Sequence, residues 1–412
     1  MSDYPLRGFR VIEVATGEAV ALAARVMAGY GADVIKVEPP AGDPARRTGP
    51  FPPGHAGPDD GAAWHYFNTG KRSVVLDLHQ AAGREVLAAL AGHAQLVLTD
   101  VPVAAREAQG LLRDQLTAGA PALSVVSVTP YGESGPYAGW SASEITEFAI
   151  GGQMSLMGDP DREPLKAFHN QAECQASLHV LGAALAALLV TARGGDGQYV
   201  ELSVQEVQVS ALEAQGPMAF NGDTLPATLL RMGNGGRATW SQFECKDGYV
   251  GCFVNVMNLP SFFRAIGHPE LLSKSQDDEF LRGEGFKLVQ EWCAARTKQE
   301  VYDTAVEFGA PMSYVAEPPD ILANPDIART GVWRTVAHPV TGWLRVPGPP
   351  FRSDDMAFDF TPAPSLGEHT AGVLADVIGL SQDDLGLLTA QAGAASRDGA
   401  TNAEAPAQGG TA

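Results

Sequence analysis

Positive charge is scarce in this 412-residue chain: 28 Lys and Arg stand against 48 Asp and Glu, a formal net charge of −20 at pH 7. A nucleic-acid binder needs a cationic footprint to displace counterions, and an anionic lipid surface asks for the same, so neither nucleic acid nor a membrane is expected as a partner. Cysteine is scarcer still, with Cys174, Cys245, Cys252 and Cys293 the full set. Four separated cysteines make neither a disulfide framework nor a zinc spacing, which points to reduced thiols and a cytoplasmic setting. Nine histidines include no His-Glu-x-x-His pattern, so no metal site is expected. Long apolar runs are missing too. The opening residues 1–14 hold no signal-length apolar core, and the longest run, residues 180–192, falls short of the roughly 20 residues that a spanning helix needs.

Several catalytic signatures are also absent. The turn after the first expected strand reads Ala15-Thr16-Gly17-Glu18-Ala19-Val20, without the closely spaced glycines that let a dinucleotide pyrophosphate approach the backbone. In Asn68-Thr69-Gly70-Lys71-Arg72-Ser73, a phosphate loop would need its first glycine where His65 stands. Gly132-Glu133-Ser134-Gly135 lacks the spacing of a nucleophile elbow. NAD enzymes, P-loop enzymes and serine hydrolases all lose ground.

What is present is alternation. Residues 10–15, 33–38, 73–78, 95–101 and 123–131 are short runs rich in Val, Ile and Leu, and read as buried strands. Between them, residues 19–30, 81–91 and 104–116 carry Ala and Leu at helical spacing. Such alternation implies βαβ units, an α/β fold with a mostly parallel sheet and helices on both faces. A longer helix is expected over 171–193, stopped by Gly194-Gly195-Asp196-Gly197, with a strand returning at 198–202. The domain reading is a large domain over 1–215, a Gly-rich linker over 216–238, a smaller α+β domain over 239–320, a linker and C-terminal part over 321–393 that complete the large domain, and a disordered tail over 394–412. The smaller domain opens on a hairpin turning at Lys246-Asp247-Gly248, and residues 333–350 read as a further β region.

Six stretches in order carry a resemblance. They are Leu6-Arg7-Gly8-Phe9-Arg10-Val11-Ile12-Glu13; Gly31-Ala32-Asp33-Val34-Ile35-Lys36-Val37-Glu38-Pro39-Pro40 with Gly42-Asp43-Pro44; Asn68-Thr69-Gly70-Lys71-Arg72-Ser73 with Leu76-Asp77-Leu78; Gly132 with Gly135-Pro136-Tyr137; Gly197-Gln198-Tyr199-Val200; and Pro364-Ser365-Leu366-Gly367-Glu368-His369-Thr370. Together they resemble the family III CoA-transferases, the group that includes formyl-CoA and carnitine CoA-transferases and the α-methylacyl-CoA racemase. The resemblance covers about residues 6–390. It implies a Rossmann-like large domain built from both chain ends, a smaller middle domain, and a homodimer of interlocked protomers. It also implies transfer of CoA between an acyl-CoA thioester and a carboxylic acid, with the thioester as substrate and no permanently bound cofactor.

By that resemblance the nucleophilic carboxylate falls on Glu173, where the family has Asp. Local sequence offers another reading, since Asn170-Gln171-Ala172-Glu173 has the spacing of a helix capping box. As nucleophile, Glu173 would attack the thioester and pass through an anhydride and a glutamyl-CoA thioester, and a position near a helix N-terminus would keep it ionised. Gly233-Asn234-Gly235-Gly236 matches the family's glycine-rich loop, in which Gly235 and Gly236 would offer N–H groups to the oxyanion. Lys36, Arg46, Lys71 and Arg72 are the expected cations for CoA phosphates, while Glu18, Tyr137, Ser143 and Glu144 are expected around the substrate. Two departures from the family pattern are Val20-Ala21 in place of Gly-Pro, and Asp100 in place of Asn, where an acidic group would repel phosphate. The racemase branch pairs a His with the Asp; Ser143 stands in the position of that His and is no base at neutral pH. An acyl-CoA isomerase or lyase on the same scaffold, and a non-catalytic CoA-ester-binding homologue, remain the alternative readings.

Overall fold

The computed structural model describes residues 3–212 and 236–381, apart from 52, 53, 55, 56, 58, 340, 350 and 352. The chain divides into two compact units. The first is Met1–Gly151, Ala167–Ala211 and Gly331–Ala412; the second is Gly152–Lys166 and Leu212–Thr330.

The first unit is a six-stranded sheet in the order β3-β2-β1-β4-β5-β6, every neighbouring pair parallel. Its strands are β1 (Arg10–Val14), β2 (Asp33–Glu38), β3 (Arg72–Val75), β4 (Leu96–Thr99), β5 (Ser124–Thr129) and β6 (Tyr199–Ser203). All six fall within a few residues of the runs read from the sequence. β4 and β5 are buried along their whole length, as continuous apolar strands covered on both faces must be. The helices are α1 (Glu18–Gly29), α2 (Ala62–Phe67), α3 (Ala81–Gly92), α4 (Val103–Gln109), α5 (Arg113–Thr117), α6 (Glu144–Ile150), α7 (Gln171–Ala192) and α8 (Val204–Ser210). The single helix expected over 104–116 is two, because Gly110 takes a left-handed conformation (φ 73°) and ends α4.

The chain ends meet in this unit. Gly367 N–H donates to Ser73 Oγ (2.9 Å), His369 N–H to the Ser73 carbonyl (3.0 Å), and Val75 N–H to Thr370 Oγ1 (3.1 Å). The late Ser-Leu-Gly-Glu-His-Thr stretch thus clips the C-terminal segment onto β3, and the helix Thr370–Ile378 adds Val373, Leu374 and Val377 to the core beneath it. A separate antiparallel pair, β10 (Trp333–His338) with β11 (Gly342–Pro347), occupies the region expected to be β.

Helix α7 spans 22 residues and is, by length and composition, apolar enough to cross a membrane, although its uninterrupted apolar run is shorter. Here it packs on α1 and buries Ala172, Ala176, Val180, Ala184 and Leu188 at helical spacing.

The second unit contains a three-stranded antiparallel sheet, β7 (Trp240–Cys245), β8 (Gly248–Phe253) and β9 (Met312–Tyr314), with the β7–β8 turn at Lys246-Asp247. Helices Leu259–Ala265, Glu284–Ala294 and Lys298–Phe308 bury Phe262, Phe263, Val289, Cys293 and Val301 in one core with this sheet. The expected Gly loop and tail lie largely outside the described residues: Gly235 and residues 394–412 are not among them, while Gly236 is in the second unit with φ 61°.

Candidate active site

The order of strands in the first unit reverses between β1 and β4, and open parallel sheets bind ligands in the crevice outside the strand C-termini at such a point. A cavity of about 640 Å³ lies there, lined by Val14–Gly17 after β1, Asp100 after β4, Thr129 at the end of β5, Ser143, Glu144 and Glu147 around α6, and Glu173 at the start of α7.

Glu173 reaches its place through backbone donors from another part of the chain. Its Oε2 accepts the Ala19 N–H at the start of α1 (2.8 Å), across 154 residues of sequence. The capping-box reading therefore does not hold. Asn170 makes no side-chain cap, and its amide bonds the Glu18 carboxylate instead. The N-terminus of α7 is capped by Glu144, whose oxygens accept from Ala172 N–H (3.0 and 3.1 Å) and Glu173 N–H (3.4 Å). Ser143 begins α6 and donates its N–H to Thr146 Oγ1 (2.9 Å), which sets the direction in which Glu144 leaves the helix.

Asp100 completes the cluster. Its carboxylate accepts from Thr16 N–H (3.1 Å) and Gly17 N–H, so it too occupies donors at the α1 N-terminus. Gly17 is required by this packing, because a Cβ there would sit 2.7 Å from Asp100 Oδ2 and 3.4 Å from Glu173 Oε2.

The electrostatics differ from the expectation of a helix-stabilised anion. Burial raises Glu173 to about 7; the Ala19 N–H works against this, while Asp100, Glu18 and Glu144 push it further up. Glu147, one turn beyond Glu144 and only 4 % exposed, is raised to about 8 by burial and then by Glu173 and Glu144. Burial likewise raises Asp100 and Glu18. The helix dipole does not win here because the chain's own carboxylates occupy the N-terminal donors and add like charge. Sequence reading missed Glu147 altogether, since no helix was read over 144–150; its spacing of three from Glu144 was the available signal.

The cations expected to hold phosphates are engaged within the fold. Lys36 is fully buried, with Nζ 2.9 Å from Glu13 Oε1, 2.9 Å from Asp43 Oδ2 and 2.8 Å from the Ala15 carbonyl oxygen. Burial alone would depress it, but Glu13 and Asp43 raise its pKa instead. Lys71 is also fully buried, 2.7 Å from Glu13 Oε2 and donating to Asn68 Oδ1 (2.9 Å); burial lowers it to about 8 against the pull of Glu13. Arg46 forks onto Glu38 through Nε and Nη2 (2.7 Å each), bonds Asp59 (2.7 Å), and lies 3.5 Å over the Trp64 ring. Arg72 is half-buried on Asp33 (2.6 and 2.8 Å), which also holds Arg10. None of the four lines the cavity. They anchor β1, β2 and β3 to one another, the geometry a buried ion pair needs to offset its desolvation.

Of the expected substrate residues, Ser143 and Glu144 line the cavity, whereas Glu18 and Tyr137 do not. Tyr137 is exposed and packs against Trp140, with ring centroids 4.4 Å apart. Cys174, beside Glu173, is held as a thiol by burial, with its pKa pushed up to about 11. Among the described residues no group of His, Cys, Asp and Glu is arranged to hold a metal ion.

Comparison with known proteins places this architecture. Residues 6–370 match the family described as CoA-transferase family III. The BbsE subunit of succinyl-CoA:(R)-benzylsuccinate CoA-transferase from Thauera aromatica is 30% identical over 89% of this chain and 93% of its own length. A formyl-CoA:oxalate CoA-transferase from Streptomyces avermitilis is 28% identical over 93% of this chain and 98% of its own. The crystal structure of a CAIB/BAIF family protein from Brucella suis superposes with a TM-score of 0.81 at 27% identity, covering 92% of this chain and all of that one. With a parallel sheet, a cavity at its switch point and a carboxylate at the head of α7, this chain belongs to CoA-transferase family III.

Proposed function

We propose that this protein is an acyl-CoA:carboxylate CoA-transferase and that Glu173 is its nucleophile. The observation that carries the reading is the placement of the Glu173 carboxylate: it lines the switch-point cavity and is held by the Ala19 N–H rather than spent on capping its own helix.

In the proposed cycle a Glu173 oxygen attacks the thioester carbonyl, the C–S bond breaks, and an acyl-glutamyl anhydride forms with release of the CoA thiolate. The thiolate attacks the glutamyl carbonyl, freeing the first acid and leaving a glutamyl-CoA thioester. The acceptor carboxylate attacks that thioester to give a second anhydride and the thiolate again. Thiolate attack on the new acyl carbonyl then releases the new acyl-CoA and restores Glu173. Only the ionised carboxylate can begin this sequence, and a pKa of about 7 leaves a useful fraction ionised at neutral pH. Glu144 positions the nucleophile by fixing the first turn of α7.

The uncharged pantetheine arm suits the apolar part of the cavity wall, with Val14, Val20 and Val128 along it. The phosphates belong outside the cavity, since its described lining has no Lys or Arg. The reading includes a cytoplasmic location and an interlocked homodimer. Leu178 (68 % exposed), Leu185 and Leu189 form an apolar face on α7 that a second copy would cover; sedimentation at micromolar concentration tests it.

Intact-protein and peptide mass spectrometry after incubation with an acyl-CoA panel, with hydroxylamine or borohydride trapping, tests the mechanism. A label on Glu173 that vanishes in Glu173→Gln supports covalent transfer. Bound CoA esters with no label would remove Glu173 from the chemistry and favour the isomerase or binding readings.

A further inference from the structure

The charge of the cavity bears on which acids the site can take. Its described lining contains seven carboxylates and no Lys or Arg. Two of these are neutralised from behind, Glu38 by Arg46 and Asp43 by Lys36. Around the nucleophile, Asp100, Glu144 and Glu147 face the same space as Glu173 with no cation among the lining residues.

The neutral donors are taken as well. An incoming carboxylate without a lysine or arginine partner would be held by N–H groups at a helix N-terminus. Here Thr16 and Gly17 donate to Asp100, Ala19 donates to Glu173, and Ala172 and the Glu173 backbone donate to Glu144. The chain's own carboxylates thus fill the positions that a substrate anion would occupy. The raised pKa values of Glu173 and Glu147 are the same repulsion felt by the residents.

We infer that this site handles monocarboxylates whose remainder bears no negative charge, and excludes acids and acyl-CoA esters that carry a second carboxylate. The inference rests on the CoA-transferase reading and sharpens it, because the relatives above are named for succinyl, benzylsuccinate and oxalate substrates, all with two carboxyl groups. The reacting carboxylate is not excluded: it is consumed as it attacks, whereas a second one stays charged against the acidic wall. Like-charge juxtaposition in a desolvated site is costly, so discrimination on the order of a hundredfold is expected.

The test uses the full-length protein and a matched pair, butyryl-CoA and succinyl-CoA, which differ by the terminal carboxylate. Calorimetric affinity is measured first, then transfer to butyrate and to succinate. Butyryl-CoA binding at least about tenfold tighter than succinyl-CoA, with transfer favouring butyrate in the same sense, supports the inference. Equal or tighter binding of succinyl-CoA, or efficient transfer to succinate, overturns it while leaving the transferase reading intact. Selective binding of butyryl-CoA with no transfer supports the charge inference and removes the transferase reading. Binding of neither ester defeats both. Asp100→Asn separates charge from shape: it should narrow the butyryl to succinyl ratio, and an unchanged ratio would show that the acidic wall is not the cause.

Discussion

Glu147 offers a measurable consequence of crowding acids around one cavity. Its carboxyl is raised from 4.5 to about 8, first by burial and then by Glu173 and Glu144. Below the ordinary carboxylate range, folded and unfolded chains both keep the proton and Glu147 contributes nothing pH-dependent. As pH rises above 4.5, the unfolded chain releases its proton while the folded chain retains it, so stability falls continuously until about pH 8 and then levels. A tenfold change in proton affinity is worth about 1.4 kcal/mol, so the full interval corresponds to roughly 4–5 kcal/mol. Glu147→Gln keeps the side-chain shape and removes the titration. Thermal unfolding of wild type and variant across pH 5 to pH 9 isolates this residue, because every other group cancels in the difference. For a chain of this size about 2 °C per kcal/mol is expected. The variant should match wild type near pH 5 and melt roughly 5–10 °C higher at pH 8.5. A difference that stays flat across that range, or that grows toward acid pH, would refute the reasoning.

Three further outcomes follow from the same geometry. The kcat/KM of CoA transfer should rise about tenfold per pH unit below neutrality and level above about 7, as Glu173 ionises; Asp100→Asn should move that midpoint down, because Asp100 helps to hold Glu173 up, and a pH-independent rate would contradict it. Gly17→Ala forces a Cβ to 2.7 Å from Asp100 Oδ2, so urea melts should show a loss of about 1–3 kcal/mol together with reduced transfer. Lys71→Met strands the Glu13 carboxylate with one of its two ammonium partners gone, and the expected destabilisation is about 3–5 kcal/mol by denaturant titration.

The parallel sheet was legible in the sequence because its signal is local. Residues 33–38 and 123–131 are continuous apolar runs, and only a strand covered on both faces accommodates such a run between helical segments. Helix boundaries were legible for a similar reason: Gly194-Gly195 ends α7 whatever packs around it. The position of Glu173 could be found from its distance to Gly197-Gln198, a register that the order of motifs preserves. Its surroundings could not. Asn170 and Glu173 have capping-box spacing, and nothing local says that the donor for Glu173 is Ala19, or that the cap comes from Glu144.

The fate of the cations shows the same division. Lys36, Arg46, Lys71 and Arg72 looked available in a chain with few positive charges, since a sequence displays charge but not the partner that neutralises it. In the fold, pairing β1 with β2 sets Lys36 against Glu13, and the approach of Asn68–Lys71 brings a second ammonium to the same carboxylate. Sequence by itself determined the α/β class, the family and the carboxylate at position 173, because periodicity and motif order survive without coordinates. Only the tertiary structure decided that Asp100, Glu144, Glu147 and Glu173 share one cavity, for they lie on four segments that meet where the strand order reverses. Their shared burial, not any local pattern, sets their proton affinities and the charge that a substrate must meet.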